Sequence, residues 1–337
     1  MLFLAGSCVA AAGRAAPDRL ERFRELARTR LSLAELVDPE NPAEAYREIY
    51  ALLDEEIVES LASGGVFASL EFLQDRLDAF GEAWGGAQIR LLRVGGLLAG
   101  AFKLTDADAG NSVRVYGRLR EESALLATMY REGRPSLFPL PAGADGPQFI
   151  AAWEGAASGR GTRGLRIDLV RAHEDGVRIA WSTASIFPDG VYARAYTVRP
   201  PDIRMRYELH YPGWTPGCDG QTEQEDVYRL APGSTTFTRA SRQQFNVWHR
   251  DLRQSVSRFF TAMAVGDRTA IATLVPDARL RERLPSSLRA ETACDAPDER
   301  NPEVVSVAAA AENAPWQLTF RRSGPAWRLS SAAPVIQ

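Results

Sequence analysis

Between residues 203 and 211 the apolar side chains fall at every second position. Ile203, Met205, Tyr207, Leu209 and Tyr211 alternate with Arg204, Arg206, Glu208 and His210. Only an extended strand sends successive side chains to opposite faces, so this stretch is incompatible with a helix. Residues 113–119, 165–170, 177–182 and 191–198 alternate in the same way, with turn residues between them at short intervals. Parallel neighbours need crossover connections of about a dozen residues or more, which these intervals do not provide, so the pairing is antiparallel. Residues 87–245 therefore read as a central antiparallel β domain, built as a curved sheet, a half-barrel or a sandwich. Glu174-Asp175-Gly176 reads as a hairpin turn in which the glycine supplies the positive φ.

The flanks follow a different period. Within 17–86, Tyr46, Ile49, Tyr50, Leu53, Ile57 and Leu61 form one helical stripe, and Phe67, Leu70, Leu73, Leu77, Phe80 and Trp84 form another. A shorter helix starts at Asp18 with Leu20, Phe23 and Leu26 inward; Pro42 suits a first helical turn, and Gly64-Gly65 stops the second helix. From 246 to 337 the chain reads as a small α+β subdomain. Val247, Leu252, Val256, Phe259, Phe260 and Met263 line one helix, Gly266-Asp267 opens a second, and strands around Trp316 to Phe320 and Trp327 to Ser330 close the chain. The run from Val256 through Gly266-Asp267 to Val275, with the closing Trp327-Arg328-Leu329, resembles the nuclear-transport-factor-2-like (SnoaL-like) superfamily. That resemblance implies a cone of helices on a curved sheet, here shortened because few residues separate Ala290 from Pro334. The superfamily hosts enzymes, binding proteins and scaffolds, so it implies no single activity. The fold class is α+β: N-terminal helices, a central antiparallel β domain, and a helix-plus-sheet C-terminal part.

Residues 1–16 read as a leader. An apolar start precedes Arg14-Ala15-Ala16-Pro17, and Ala5, Gly6 and Ser7 stand before Cys8 as small residues do in the lipobox of bacterial lipoproteins, which this segment resembles. The resemblance implies lipidation of Cys8 after export; Ala5 stands where the pattern has a large aliphatic residue. The alternative is a cleaved signal without lipid. If Cys8 carries lipid, Cys218 and Cys294 remain as an even pair in turn-like contexts, available for a disulfide in an oxidising compartment. No run approaches the roughly 18–20 apolar residues of a membrane-spanning helix, so the reading allows membrane attachment only through a lipid anchor. The expected location is the periplasm or the outer membrane.

Candidate chemistry is sparse. The net charge of −3 gives no field for gathering nucleic acid. Lys103 is the only lysine, so 39 of the 40 basic residues are arginine, and lysine-dependent chemistry would have to pass through that one residue. Gly159-Arg160-Gly161-Thr162-Arg163-Gly164 matches a dinucleotide fingerprint in letters, but a strand follows it where the pyrophosphate needs a helix N-terminus. Arg163 and Arg166 remain as candidates for holding an anionic group. Thr105, Asp106, Asp108 and Asn111 space their oxygens like a calcium loop without its closing carboxylate, and read as a polar turn. Asp219, Glu223, Glu225 and Asp226 read as a solvated acidic loop. His173, His210 and His249 have no metal-ligand spacing, and no cofactor or metal is implied. Tyr211 and Trp214 leave a strand into a Pro/Gly-rich segment and are the candidates for lining a pocket mouth. The resulting expectation is an exported envelope protein that binds or scaffolds, with a small amphipathic or acidic ligand or another envelope protein as partner. The alternative is an exported hydrolase at the end of the β domain, using His210, Asp219 and their neighbours; pairing Cys218 with His210 or His249 is the one nucleophile–base combination available.

Overall fold

A computed structural model describes residues 18–28, 46–105, 110–143, 146–159, 161–174, 176–209, 222–291, 302–312, 314–324 and 326–335. The fold is α+β with antiparallel sheets, and the chain divides into two compact units after Arg131.

In the first unit, helices α1 (Arg19–Ala27), α2 (Arg47–Ser63) and α3 (Leu70–Trp84) share a core with the meander β1 (Gln88–Val94), β2 (Leu97–Lys103), β3 (Ser112–Leu119) and β4 (Glu122–Tyr130). The Asp18 carboxylate caps α1 by accepting from the Leu20 N–H at 3.3 Å, and Ser69 Oγ caps α3 through the Phe72 N–H at 3.2 Å. A nine-residue helix is unstable alone in water, so α1 depends on burying Leu20 and Phe23. Phe23 meets Phe80 edge-on at 5.0 Å, and the Trp84 indole donates to the Leu104 carbonyl at 2.6 Å. Segment 17–86 is thus not a body of its own. Its helices share a core with the first four strands of the expected 87–245 domain, and the division falls at 131. The third apolar stripe is shorter than its period implies: Phe67 lies in the 3-10 turn Gly65–Ala68, and both it and Leu70 are exposed.

The second unit opens with β5 (Arg134–Pro139), β6 (Gln148–Ala157), β7 (Arg163–His173), β8 (Gly176–Ser182), β9 (Tyr192–Arg199), β10 (Asp202–Glu208), β11 (Glu223–Arg229) and β12 (Thr238–Phe245). They form an eight-stranded sheet in the order β12-β11-β10-β9-β7-β6-β5, with β8 attached to β7. Strand β7 pairs β8 through residues 168–173 and β9 through Arg163 and Gly164, so the sheet branches along this strand. One face is apolar: Ile150, Ile167, Leu169, Ile203 and Met205 are buried there. The β7–β8 turn corrects one expectation, since Glu174 takes the positive φ (45°) while Gly176 is already the first residue of β8.

Beyond the sheet, α4 (Trp248–Val265), α5 (Arg268–Leu274) and α6 (Ala278–Arg283) precede β13 (Arg289–Ala290), β14 (Val304–Ala311), β15 (Ala314–Ser323) and β16 (Ala326–Pro334). Gly266 turns the chain with φ 71°, and Asp267 caps α5 by accepting from the Ala270 N–H at 3.0 Å. Leu252, Val256 and Phe259 of α4 pack with Leu318, Phe320, Trp327 and Leu329 into one core. No helix among the described residues is long and apolar enough to cross a membrane.

Candidate functional site

Residues 210–221 include most of the residues singled out by the sequence: His210, Tyr211, Trp214, Cys218 and Asp219. All of them lie outside the described residues, as do Cys8 and Cys294. What the structure defines is the pair of strand ends on either side of this segment. Strand β10 ends at Glu208, β11 begins at Glu223, and the Leu209 N–H donates to the Thr222 carbonyl at 3.0 Å. Thr222 is buried; its hydroxyl donates to the Asn246 carbonyl at 3.1 Å and accepts from the Arg250 N–H at 3.3 Å, tying the hairpin to the start of α4.

Register decides which side chains meet. Tyr207 pairs with Gln224, Met205 with Asp226 and Ile203 with Tyr228, so three polar residues of β11 share the sheet's apolar face. Asp226 is fully buried and accepts from Arg242 Nε and Nη2 at 2.8 and 2.9 Å, from the Tyr207 hydroxyl at 2.9 Å, from the Tyr228 hydroxyl at 3.3 Å and from Gln224 Nε2 at 3.4 Å. Burial opposes its ionised form, but the hydrogen bonds from Arg242 and Tyr207 and the guanidinium charge outweigh that and hold the carboxyl below its usual range. The same burial, together with the Asp226 charge, pushes the Tyr228 phenol up to about 12 and raises Tyr207 as well. Gln224 also donates to the Tyr207 hydroxyl and accepts from Gln244, which in turn accepts from Arg250 at 3.4 Å. Around this chain of polar contacts Trp181 packs on Tyr228 and Phe237 at 5.5 and 5.1 Å, and Phe187 on Tyr207 at 5.0 Å. Bidentate geometry fixes the Arg242 fork while leaving its side chain 40% exposed.

The opposite face of the same strand ends carries a second network. Glu208 and Glu223 stand directly across from each other, an arrangement that costs energy unless cations intervene. Arg194 reaches both, at 3.5 Å to Glu208 and 3.1 Å to Glu223, and Arg206 donates to Glu223 while lying 4.2 Å over the Phe245 ring. The ends of β10 and β11 are thus cross-linked by arginine–carboxylate pairs on both faces. Glu223 and Asp226, expected in a solvated loop, are instead buried strand residues, and Glu225 lies half-buried in the same strand; segment 223–229 has no apolar alternation to betray it, and its buried carboxylates are paired with arginines.

The other candidates are placed separately. Arg163 donates to Glu154 at 2.6 Å, and Glu154 also accepts from the Tyr196 hydroxyl at 2.9 Å. Arg166 spans both oxygens of buried Asp168 at 3.0 and 3.1 Å. Both arginines are therefore held by carboxylates of their own sheet, and neither joins the loop base. The glycine-rich segment closes a hairpin, with the Ser158 N–H on the Thr162 carbonyl at 2.7 Å, and β7 follows it. Asn111 turns inward, its Oδ1 accepting from the Leu104 N–H at 3.0 Å. His249 stacks on Trp248 at 3.5 Å. No cluster of three metal-ligating side chains occurs among the described residues. Neither a protein-family model nor a curated protein matches the sequence.

Proposed function

We propose that this chain is a binding or scaffold protein of the bacterial cell envelope, exported by its leader, and that its ligand site is the 210–221 loop with Tyr211 and Trp214 as contact residues. The observation that carries this reading is the double anchoring of the loop base. A rigid platform lowers the ordering cost of a binding loop, and here Arg194 and Arg206 spend their charge on fixing geometry while Asp226 holds Arg242 in one pose. The half-exposed Arg242 suits the acidic head of an amphipathic ligand whose apolar part meets the loop's aromatic rings. The C-terminal helix-and-sheet part, in its resemblance to the nuclear-transport-factor-2-like superfamily, serves as scaffold in this reading. Cys8 carries lipid, and Cys218 bonds Cys294.

Titration with dodecanoate and with dodecylamine, followed by tryptophan fluorescence, tests the site. Dodecanoate binds and the amine does not, and Trp214→Ala weakens dodecanoate binding at least tenfold. Equal binding of both probes, or wild-type affinity in Trp214→Ala, overturns the assignment. Turnover of p-nitrophenyl esters that is abolished by His210→Ala would replace it with the exported hydrolase. Expression in a Gram-negative host tests the location: the mature chain loses its first 7 to about 16 residues, and Cys8→Ser releases it from membranes. An intact N-terminus in the cytosol removes the envelope reading.

A further inference from the structure

We infer that the turn at Gly65–Ala68, with Val66, Phe67 and Leu70 exposed around it, inserts into the interface of a lipid bilayer beside the anchored N-terminus. The inference rests on the reading of Cys8 as the lipid-bearing residue. Val66 is 70% exposed, Phe67 52% and Leu70 37%, and the Phe67 ring meets that of half-buried Phe72 edge-on at 5.3 Å. The turn stands clear of its surroundings. Gly64 and Gly65 take positive φ (68° and 56°), and a Cβ added at either meets no atom within 4 Å. Backbone groups of the turn are bonded where α3 begins. The Ser69 N–H donates to the Val66 carbonyl at 3.0 Å, Ser69 Oγ accepts from the Phe72 N–H at 3.2 Å, and Arg93 Nη2 donates to the Ala68 carbonyl at 2.6 Å. Exposed carbon over bonded backbone is what a segment entering lipid requires, because unsatisfied amides are costly there.

Position selects the occupant. Asp18 lies 3.6 Å from Arg76, and Arg19 pairs with Glu56 and Glu59. The start of α1 therefore sits beside the end of α2 and the first turns of α3, and the six residues from Leu70 to Arg76 rise only about 9 Å along the helix. Eleven Cα steps separate Cys8 from Arg19, a span of at most roughly 40 Å. A lipid on Cys8 thus keeps this end of the helices, and the apolar turn with it, within reach of the membrane surface. Charge adds no preference, since Arg19 and Arg76 are paired with carboxylates while Arg93 and Glu71 contribute one charge of each sign. The attraction is apolar and holds for zwitterionic lipid. A folded partner fits less well: three apolar side chains cannot supply the about 800 Å² that each side of a stable protein interface buries. A fluid bilayer has no shape to match, and its hold scales with the apolar area inserted.

The chain purified from a Gram-negative host, as wild type and as Cys8→Ser, is mixed with phosphatidylcholine vesicles and followed by co-sedimentation and amide hydrogen exchange. Exchange slows at 65–70 in both forms and is unchanged in β11. Val66→Ser combined with Phe67→Ser, both at exposed positions, leaves the thermal midpoint unchanged. It weakens vesicle binding of the Cys8→Ser chain about tenfold and removes the protection at 65–70 in both forms. Binding persists in high salt, which screens charge but not apolar burial. Unchanged exchange at 65–70 on vesicles, or binding that high salt abolishes, overturns the proposal. Protection at 65–70 that grows with protein concentration in the absence of vesicles assigns the turn to a second copy and overturns it as well. The turn and the anchor fail separately. A lipidated chain held on vesicles with 65–70 unprotected removes the turn alone, whereas a chain without lipid whose 65–70 is still protected by vesicles removes the anchor alone.

Discussion

Each unit contains an aspartate that grips an arginine with two hydrogen bonds beside a pair of tyrosines, and the two copies of this chemistry are oriented oppositely. In the first unit Asp54 of α2 holds Arg114 of β3, the Tyr116 hydroxyl donates to the same carboxylate at 2.7 Å, and Arg114 reaches the Tyr130 hydroxyl at 3.0 Å. The arginine is the inner partner, with its side chain 5% exposed and its guanidinium 4.5 Å over the Tyr50 ring, while Asp54 is 16% exposed. In the second unit Asp226 is the inner partner and Arg242 the outer one. The difference lies in which charge is buried. Burying the guanidinium staples a helix to a sheet and presents nothing to solvent. Burying the carboxylate holds a guanidinium in a fixed pose with its side chain partly at the surface.

The largest effect should come from breaking the first pair. Arg114→Ala leaves Asp54 without its cation and deprives the α2–β3 contact of its cross-link, and removing one partner of a buried pair typically costs about 3–5 kcal/mol. Denaturant midpoints followed by a probe in the first unit check this. A loss below about 1 kcal/mol, the range of exposed pairs, would erase the contrast between the two sites. The double replacement Asp54→Leu with Arg114→Met should recover much of the loss, since a well-packed apolar pair can equal or exceed a buried ion pair.

Asp226→Asn comes next. The amide keeps the shape of the site but loses the charge that Arg242, Tyr207 and Tyr228 address, and Arg242 regains water because it is half-exposed. The expected loss is about 1–3 kcal/mol. Its pH dependence has a defined sign. The folded carboxyl titrates below its usual range, so its contribution is present above the unfolded pKa and is lost as pH falls through the folded value. The gap between wild type and Asp226→Asn should therefore close in acid, below roughly pH 4. The tyrosines act at the other end. Burial raises Tyr50, Tyr116, Tyr207 and Tyr228, so their contribution is whole below about pH 10 and declines as pH rises through the folded values. Phenolate absorbance that appears at the ordinary tyrosine pKa, before unfolding, would contradict this placement.

How much of this was legible beforehand depends on whether apolar contrast marks the element. The stripe Ile49, Tyr50, Leu53 and Ile57 and the alternation of Ile203, Met205 and Tyr207 are visible because each element has an apolar face against a polar one, and both are buried as their spacing requires. Strands β11 and β12 have no such contrast. Asp226 is inward because Arg242, on the neighbouring strand, satisfies it, and Gln224 because it bonds Tyr207 and Gln244; no local pattern encodes a partner 16 residues away. Asp54, Arg114 and Tyr116 escaped for a related reason: only the fold brings α2 onto β3, and no local spacing links residue 54 to 114 and 116. Arg163 and Arg166 stood out by sequence position, and the structure pairs them with Glu154 and Asp168, away from the β10–β11 strand ends.

Arg163 supplies the smallest effect and the sharpest control on the comparison. It forms a short ion pair, as Arg242 does, but its side chain is 53% exposed and Glu154 is 25% exposed. Water can solvate both when the pair is broken, and exposed pairs contribute about 0–1 kcal/mol. Arg163→Gln should therefore leave the denaturant midpoint nearly unchanged. It should still be electrically visible. The Tyr196 phenol is held up first by burial and then by the Glu154 charge, and Arg163 partly offsets both. Removing that cation leaves Glu154 unopposed beside the hydroxyl it accepts from, so Tyr196 should titrate higher still, as read by NMR of the labelled tyrosine ring. An upward shift without loss of stability would show that the pair acts on the local field while the fold ignores it. A loss comparable to that of Asp226→Asn would mean that burial of the carboxylate does not separate presenting arginines from ordinary ones, and the contrast between Arg163 and Arg242 would go.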